Sequence, residues 1–521
     1  MNYADLFRAT LPETALELAA LLVLVVDLAF LRKAAQSVRN TSAAFLGVIG
    51  CAAAAWFVPL DHIGFNGPDG FALLSTGGYT ACAQRGILAL TVLCLALLID
   101  SLFTRHVGEF VAVMLMSAAG GLLIAAAQDL IVIFIGLELL SLGLYILTAF
   151  AKKSAKSAEA AIKYYLYGGM AAAFLLFGFS YFYGLSGSTN LWSIQTAIAA
   201  SGSSPLFYIA WVCVFAGLGF KVAAVPFHIW APDTYEGAPA PGAAFIASVS
   251  KVASFALLIS LSIAWLMPGG PVEGARASVE AYLHLSYQSW PSIAFTLTIA
   301  SAASMVVGNL AALAQVSVRR LLAYSAIAHT GYILLGIATH PVYHNQADIF
   351  AFFGGDIVSM MRSGDAVLYY ILTYALTTIG AFGVVGVVER ATGSDKLDAF
   401  LGLHKRNPIL AAVLLILFLS LAGIPPLVGF WAKFNLFAAV LAVGAGPIPF
   451  TLVALAVAFS AVSLYYYLQV LKRAYVMPAA DESPIRAHPV TLIVLVVIAA
   501  AVVILGCFPS LLGDWIQSSY R

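Results

Sequence analysis

The 521-residue chain is 62% hydrophobic and only 9% charged, with a mean hydropathy of +0.97. Soluble domains carry roughly 25% charged residues, so the composition excludes that class and leaves a membrane protein, and a net charge of +1 offers no basic surface for nucleic acid. Cys51, Cys82, Cys94, Cys213 and Cys507 are scattered through apolar stretches without a CxxC pair, which implies neither an iron–sulfur centre nor a disulfide framework.

A helix needs about 20 apolar residues to cross the hydrocarbon core. By that ruler the chain predicts fourteen spans, near 12–31, 42–60, 79–103, 108–127, 129–150, 158–184, 205–230, 240–266, 291–314, 320–339, 366–388, 408–443, 449–471 and 488–512. The first lacks a basic leader and a small-residue cleavage site, and is read as a span rather than a signal peptide. Sixteen of the twenty-five lysines and arginines fall in loops after odd-numbered spans, four fall in even loops and termini, and five lie inside spans. This asymmetry places the odd loops in the cytoplasm and both termini outside. The long loops 267–290 and 340–365 then face outward, and both are expected to form short surface helices.

Taken in chain order, the polar residues inside the spans form a series. Glu138 lies near the middle of the fifth span, in "FIGLELLSLGLYIL". Lys163 is a few residues into the sixth, beside Lys152, Lys153 and Lys156, where either an interfacial or a buried role fits. Lys221 sits around mid-depth in the seventh, in "GLGFKVAAVPFHIWAPDTYEGAPAP", and Lys251 near the middle of the eighth. A charge at the centre of a span costs about 2.5–3.5 kcal/mol, so such residues need a polar surrounding or a function. His329, in "AYSAIAHTGYILLG", is either a packed core histidine or a proton relay, since an imidazole exchanges protons near neutrality. His228, two residues after Pro226, is a weaker candidate. Glu17, Asp27 and Asp100 lie closer to span ends and read as interfacial or packing residues.

Prolines interrupt two of these spans. Pro226 removes a backbone donor shortly after Lys221 and predicts a broken helix. "LAGIPPLVGFWAKFNLF" repeats the device, with Pro425 and Pro426 ahead of Lys433, and the block 408–443 is too long for one straight helix. Broken helices at membrane depth line polar cavities or are buried in protein. A pair of them at corresponding places in two halves points to a transport site. A buried lysine holds or releases its proton according to the charges around it, so chained lysines with water between them can pass protons across a membrane.

The stretches "GLELLSLGLYIL", "EAAIKYYLYGG", "GLGFKVAAVPFHIWAPDTYEGAPAP", "SKVASFALL", "GNLAALAQVSVRRLLAYSAIAHTGYILLG" and "SLAGIPPLVGFWAKFNLF" together resemble the antiporter-like membrane subunits of respiratory complex I, the NADH:quinone oxidoreductase. The resemblance implies an all-α membrane protein of about fourteen transmembrane helices with two inverted five-helix repeats and two broken helices. It divides the chain into helices 1–3 over 1–107, repeat one over 108–266, repeat two over 267–476, and the last helix over 477–521. It implies proton translocation driven by quinone reduction elsewhere, through Glu138, a bridging Lys163, Lys221, Lys251, His329 and Lys433. Lys433 separates the chain from sibling types that carry glutamate there. The chain would hold no redox cofactor, with FMN, iron–sulfur clusters and quinone in other subunits. Its partners would be the lipid bilayer and other membrane subunits, both antiporter-like and small helical ones, in a cell inner membrane with periplasmic termini. "YFYGLSG" is similar to cyanobacterial and plastid relatives, which would imply a thylakoid membrane and a ferredoxin-driven photosynthetic complex. A cation/proton antiporter subunit of the Mrp type is the other function that the pattern admits.

Overall fold

The computed structural model describes residues 3–61, 72–201, 204–264, 276–339, 363–442, 447–479 and 483–519. The helices that build the membrane body are α1 (Leu11–Val25), α2 (Gln36–Phe57), α3 (Gly78–Leu98), α4 (Val107–Ala126), α5 (Leu130–Thr148), α6 (Ala155–Ser186), α7 (Pro205–Val222), α8 (Trp230–Gly237), α9 (Ala240–Ala247), α10 (Val249–Ala264), α11 (Arg276–Leu313), α12 (Val318–Thr339), α13 (Ser363–Thr392), α14 (Pro408–Ala422), α15 (Val428–Ala442), α16 (Pro447–Tyr475) and α17 (Pro489–Cys507). Among the described residues twelve helical segments are long and apolar enough to span, with α9 and α10 counted together. The first predicted span is the shorter α1, whose last turn widens into a π-helix at Val26–Phe30. The twelfth is divided into α14 and α15. All fourteen predicted blocks therefore fall on helices.

Two boundaries differ from the sequence reading. The ninth helix begins at Arg276 and runs through Pro291 instead of starting there, so most of the expected loop 267–290 is helical. No glycine or proline stands between Arg276 and Pro291 to stop it. The eighth span is interrupted at Ser248, whose backbone (φ −121°, ψ −76°) separates α9 from α10 three residues before the buried Lys251. The expected loop 340–365 lies, up to residue 362, outside the described residues.

The interior is α10, α12 and α13, with 94–100% of their apolar windows buried, whereas only 17% of the α16 window is covered. Helices that are hydrophobic all round belong inside such a bundle, and these three carry Lys251, His329 and the tyrosines around them. α4 packs on α5 as α11 packs on α12, and α6 packs on α7 as α13 packs on α15. Glycines make the first two contacts close: a Cβ at Gly120 would meet the Leu140 backbone nitrogen at 2.6 Å, and one at Gly308 would meet that of Ala328 at 2.5 Å. Small residues let helix backbones approach in a membrane, and here they fix Glu138 on α5 and His329 on α12.

Both proline-bearing stretches are breaks. α7 stops at Val222, Ala223 takes a left-handed conformation (φ 59°), and helix resumes only at Trp230. α14 stops at Ala422, Gly423 is left-handed (φ 88°), and helix resumes at Val428.

Candidate functional site

Three lysine side chains end in the protein interior. Lys221, Lys251 and Lys433 are 5, 2 and 6% exposed. Each ammonium donates to a hydroxyl from a helix remote in sequence: Lys221 to Ser141 Oγ, Lys251 to Thr330 Oγ1 at 2.9 Å, and Lys433 to Ser460 Oγ at 2.8 Å. Each also lies over a tyrosine ring, Tyr145 at 5.8 Å, Tyr374 at 5.9 Å and Tyr332 at 5.5 Å respectively. Charge–quadrupole attraction and hydroxyl dipoles replace part of the lost hydration. Among the described residues none of the three lysines has a carboxylate within ion-pair distance. Glu138 is half-buried, one turn before Ser141 on α5, and lies within electrostatic reach of Lys221 rather than in contact with it.

The breaks explain where the remaining donors go. In a continuous helix the carbonyl of residue i accepts from the N–H of i+4. Val222, Leu421 and Ala422 have Pro226, Pro425 and Pro426 at that place, and proline has no N–H. Lys433 Nζ donates to Leu421 O (3.0 Å) and Ala422 O (2.9 Å), the two carbonyls that the proline pair leaves without a helical donor. At the first break Thr330 Oγ1 donates to Val222 O at 2.7 Å, while accepting from Lys251, whose Nζ also donates to Ala326 O at 2.8 Å.

His329 is buried, with Nδ1 2.8 Å from the Tyr370 hydroxyl. Its ring is 4.7 Å from that of Tyr374 and 5.7 Å from that of Tyr332. The Lys251 ammonium lies over the first of these rings and that of Lys433 over the second. Lys251, Tyr374, His329, Tyr332 and Lys433 thus form one row. His228 lies in the first break, its buried Nδ1 without a hydrogen-bond partner.

Lys163 stands apart from that row. Its side chain is 40% exposed and pairs with Glu159 (2.6 Å) and with Asp233 (2.8 Å). Asp233 also takes Arg320 at 2.5 Å, and Glu236 takes Lys156 at 2.8 Å and Arg320 at 3.1 Å. Arg319 donates to the Ala238 and Glu236 carbonyls at the end of α8 (2.6 and 3.2 Å) and pairs with Glu389 on α13 at 2.5 Å. A cation there complements the negative end of the helix. Four cations from α6 and α12 therefore grip the short α8 between them. Burial opposes the charge on Asp233 and Glu236, but Lys163 and Arg320 on the first, and Lys156 and Arg320 on the second, hold both carboxyls below the usual carboxylate range. Beside this cluster a cavity of about 430 Å³ is lined by Lys156, Glu236, Arg319, Glu389, Arg390 and Asp395, among others, and continues past Gly386 and Gly383 of α13.

Of the six residues singled out in the sequence, Lys221, Lys251, His329 and Lys433 share the interior, Glu138 borders it, and Lys163 does not join it. Sequence reasoning missed the hydroxyls Ser141, Thr330 and Ser460, the tyrosines, and the grip on α8. The last was detectable: Asp233 and Glu236 stand three apart on one helical turn, downstream of three bases at 152–156 and ahead of Arg319 and Arg320. Asp27 and Asp100 pair with Arg39 (2.5 Å) and Arg390 (2.6 Å) near span ends. Among the described residues no group of three His, Cys, Asp or Glu is placed to hold a metal ion.

The sequence profile of a family described as "NADH:quinone oxidoreductase/Mrp antiporter, TM" matches residues 127–268 and 278–460. The chain is 45% identical to the NADH-quinone oxidoreductase subunit N 2 of Acidobacterium capsulatum, with 99% of each covered. It is 38% identical to subunit N 1 of Roseiflexus castenholzii, over 87% of this chain and 82% of that one. Among solved structures, a chain of respiratory complex I from Thermus thermophilus superposes with a TM-score of 0.74 at 30% identity, over 96% of this chain and 98% of that one. A chain of the Mrp complex from Dietzia sp. DQ12-45-1b gives 0.76 at 19% identity with both chains fully covered, a likeness of fold alone.

Proposed function

The chain belongs to the NADH:quinone oxidoreductase/Mrp antiporter transmembrane family, and on that premise we propose that it is a proton-translocating, antiporter-like membrane subunit of an NADH–quinone oxidoreductase, driven by quinone reduction elsewhere in the complex. The observation that carries this reading is the buried series Lys221, Lys251, His329 and Lys433. Lys251, His329 and Lys433 are linked through the rings of Tyr374 and Tyr332, Thr330 bridges Lys251 to the Val222 carbonyl next to Lys221, and hydroxyls, carbonyls and ring faces surround each lysine.

Each lysine binds a proton as an ammonium and returns it as an amine when the local charge changes. Glu138 sets the charge near Lys221. His329 stands within reach of both Lys251 and Lys433 and passes the proton between the halves. In this reading protons enter by way of the cavity beside Glu236 and Glu389, on the side that the basic odd loops mark as cytoplasmic, and leave on the outer side by way of Lys433. Lys163 serves the grip on α8 at that face rather than the interior row. Repeat one occupies 108–266 and repeat two 267–476, with both termini on the outer side. Electron-transfer groups reside in partner subunits, and neighbouring membrane subunits flank the chain in an inner membrane. The Mrp function is the weaker reading, since that likeness is of fold only, whereas the subunit N relatives match over the whole chain.

The test is proton uptake into proteoliposomes beside the donor oxidation rate. With Lys251→Ala in an assembled complex, translocation is lost. Translocation at the parent rate overturns the relay.

A further inference from the structure

We propose that Thr330 is a positioning residue that transmits the charge state of Lys251 to the end of α7 that carries Lys221. This rests on the relay reading above. Thr330 is fully buried, and its Oγ1 has three partners within hydrogen-bond distance: Lys251 Nζ at 2.9 Å, Val222 O at 2.7 Å and Ala326 O at 3.0 Å. A hydroxyl has one proton to donate. An ammonium only donates, so while Lys251 is charged the Thr330 proton must point away from it. The nearer acceptor is then Val222 O, the carbonyl that Pro226 deprives of its helical donor.

A neutral amine presents a lone pair. When Lys251 has released its proton, the hydroxyl can turn to donate to that lone pair, and Val222 O is left as an unpartnered carbonyl in the interior. Such a group is costly to bury, so the end of α7 is held firmly in one state of Lys251 and loosely in the other. Lys221 is the residue before Val222, and its ammonium rests on Ser141. Loosening that helix end changes how Lys221 meets Ser141 and the nearby Glu138. At the second break Lys433 donates to the equivalent carbonyls directly. In the first, the hydroxyl is inserted between lysine and carbonyl, which links two lysines instead of one.

Thr330→Val keeps the branched shape and removes the hydroxyl, whereas Thr330→Ser keeps the hydroxyl and removes a methyl. Both are compared with Lys251→Ala in the complex reconstituted into vesicles, reading proton translocation and donor oxidation. The expected result is an assembled Thr330→Val complex that translocates about ten-fold more slowly, with Thr330→Ser retaining most of the parent rate. If Thr330→Val does not assemble, Thr330→Ala takes its place under the same outcomes. Parent-like translocation in Thr330→Val, or a Thr330→Ser complex as slow as Thr330→Val, overturns the proposal. Loss of translocation in Lys251→Ala with a normal Thr330→Val refutes the bridge alone, whereas normal translocation in Lys251→Ala refutes the relay itself.

Discussion

Lys433 reaches back across the break that precedes it, and its ammonium lies 2.9 Å from the carbonyl oxygen of Ala422. That carbonyl has no helical donor because Pro426 stands four residues on. The proline pair therefore does two things: it ends α14, and it creates the acceptors that hold a charged lysine inside the membrane. A helix end with free carbonyls carries partial negative charge, so the break supplies the counter-charge that no carboxylate supplies here.

Gly423 tests that arrangement. It is left-handed (φ 88°), and a Cβ there would lie 2.9 Å from Lys433 Cδ. Gly187, just past the end of α6, is also left-handed (φ 72°), and a Cβ there would meet nothing within 4 Å. An L-residue in that region costs roughly 1–2 kcal/mol. Gly187→Ala should therefore lower the melting temperature of the complex and leave the translocation per donor oxidised alone. Gly423→Ala should lower both, because the methyl pushes Lys433 off its carbonyls. Parallel losses in the two variants would mean that backbone strain, not the lysine's position, explains the defect.

Much of this was legible in the sequence, and the reason is physical. The fourteen spans follow from apolar blocks of about 20 residues, and because a lysine or a proline inside such a block is costly, the two breaks and the interior lysines follow from single residues. Ser141, Thr330 and Ser460 could not be picked out, because serine and threonine are common in membrane helices and bond their own backbone at no cost. Only the fold brings them to lysines 80, 79 and 27 residues away. Lys163 illustrates the opposite failure. A few residues into its block, it fits an interfacial or a buried role equally, and only the return of α8 with Asp233 reveals the ion pair that it makes. The interruption at Ser248 carried no proline or glycine to announce it.

The grip on α8 should depend on pH. Asp233 and Glu236 titrate below the usual carboxylate range in the folded protein. A group whose folded pKa is depressed stabilises the protein above its unfolded pKa, about 4 for carboxylates, and that contribution disappears as pH falls through the folded value. The melting temperature of the detergent-solubilised parent should therefore exceed that of Asp233→Asn at pH 6, and the two should converge toward pH 3. A difference that stays constant over that range would show that the ion pairs with Lys163 and Arg320 contribute nothing.

Glu138 and Lys221 should be separable in their effects. In the proposed relay Lys221, which sits on Ser141, carries the proton, and Glu138, half-buried and one turn earlier on α5, acts through its charge. Lys221→Ala should abolish translocation in an assembled complex. Glu138→Gln removes the charge and keeps the shape, and should slow translocation strongly, while Glu138→Asp should restore part of the rate. A Glu138→Gln complex that pumps and oxidises donor as the parent does would remove Glu138 from the mechanism, whatever Lys221→Ala does.

The sharpest distinction concerns whether Lys433 carries a proton or only a charge. A guanidinium has ample donors for Leu421 O and Ala422 O, so Lys433→Arg should assemble and keep the break intact. Arginine does not give up its proton in the physiological range, so translocation should stop although the positive charge remains. Lys433→Glu places a carboxylate against two carbonyl oxygens and Ser460, and should disturb the break as well as the transport, lowering the melting temperature where Lys433→Arg does not. The measurement is proton uptake into vesicles beside the donor oxidation rate, with assembly checked for each variant. If Lys433→Arg pumps like the parent, the ammonium is a fixed counter-charge to the broken helix, and in the proposed relay the proton must leave through another group of the row, such as His329.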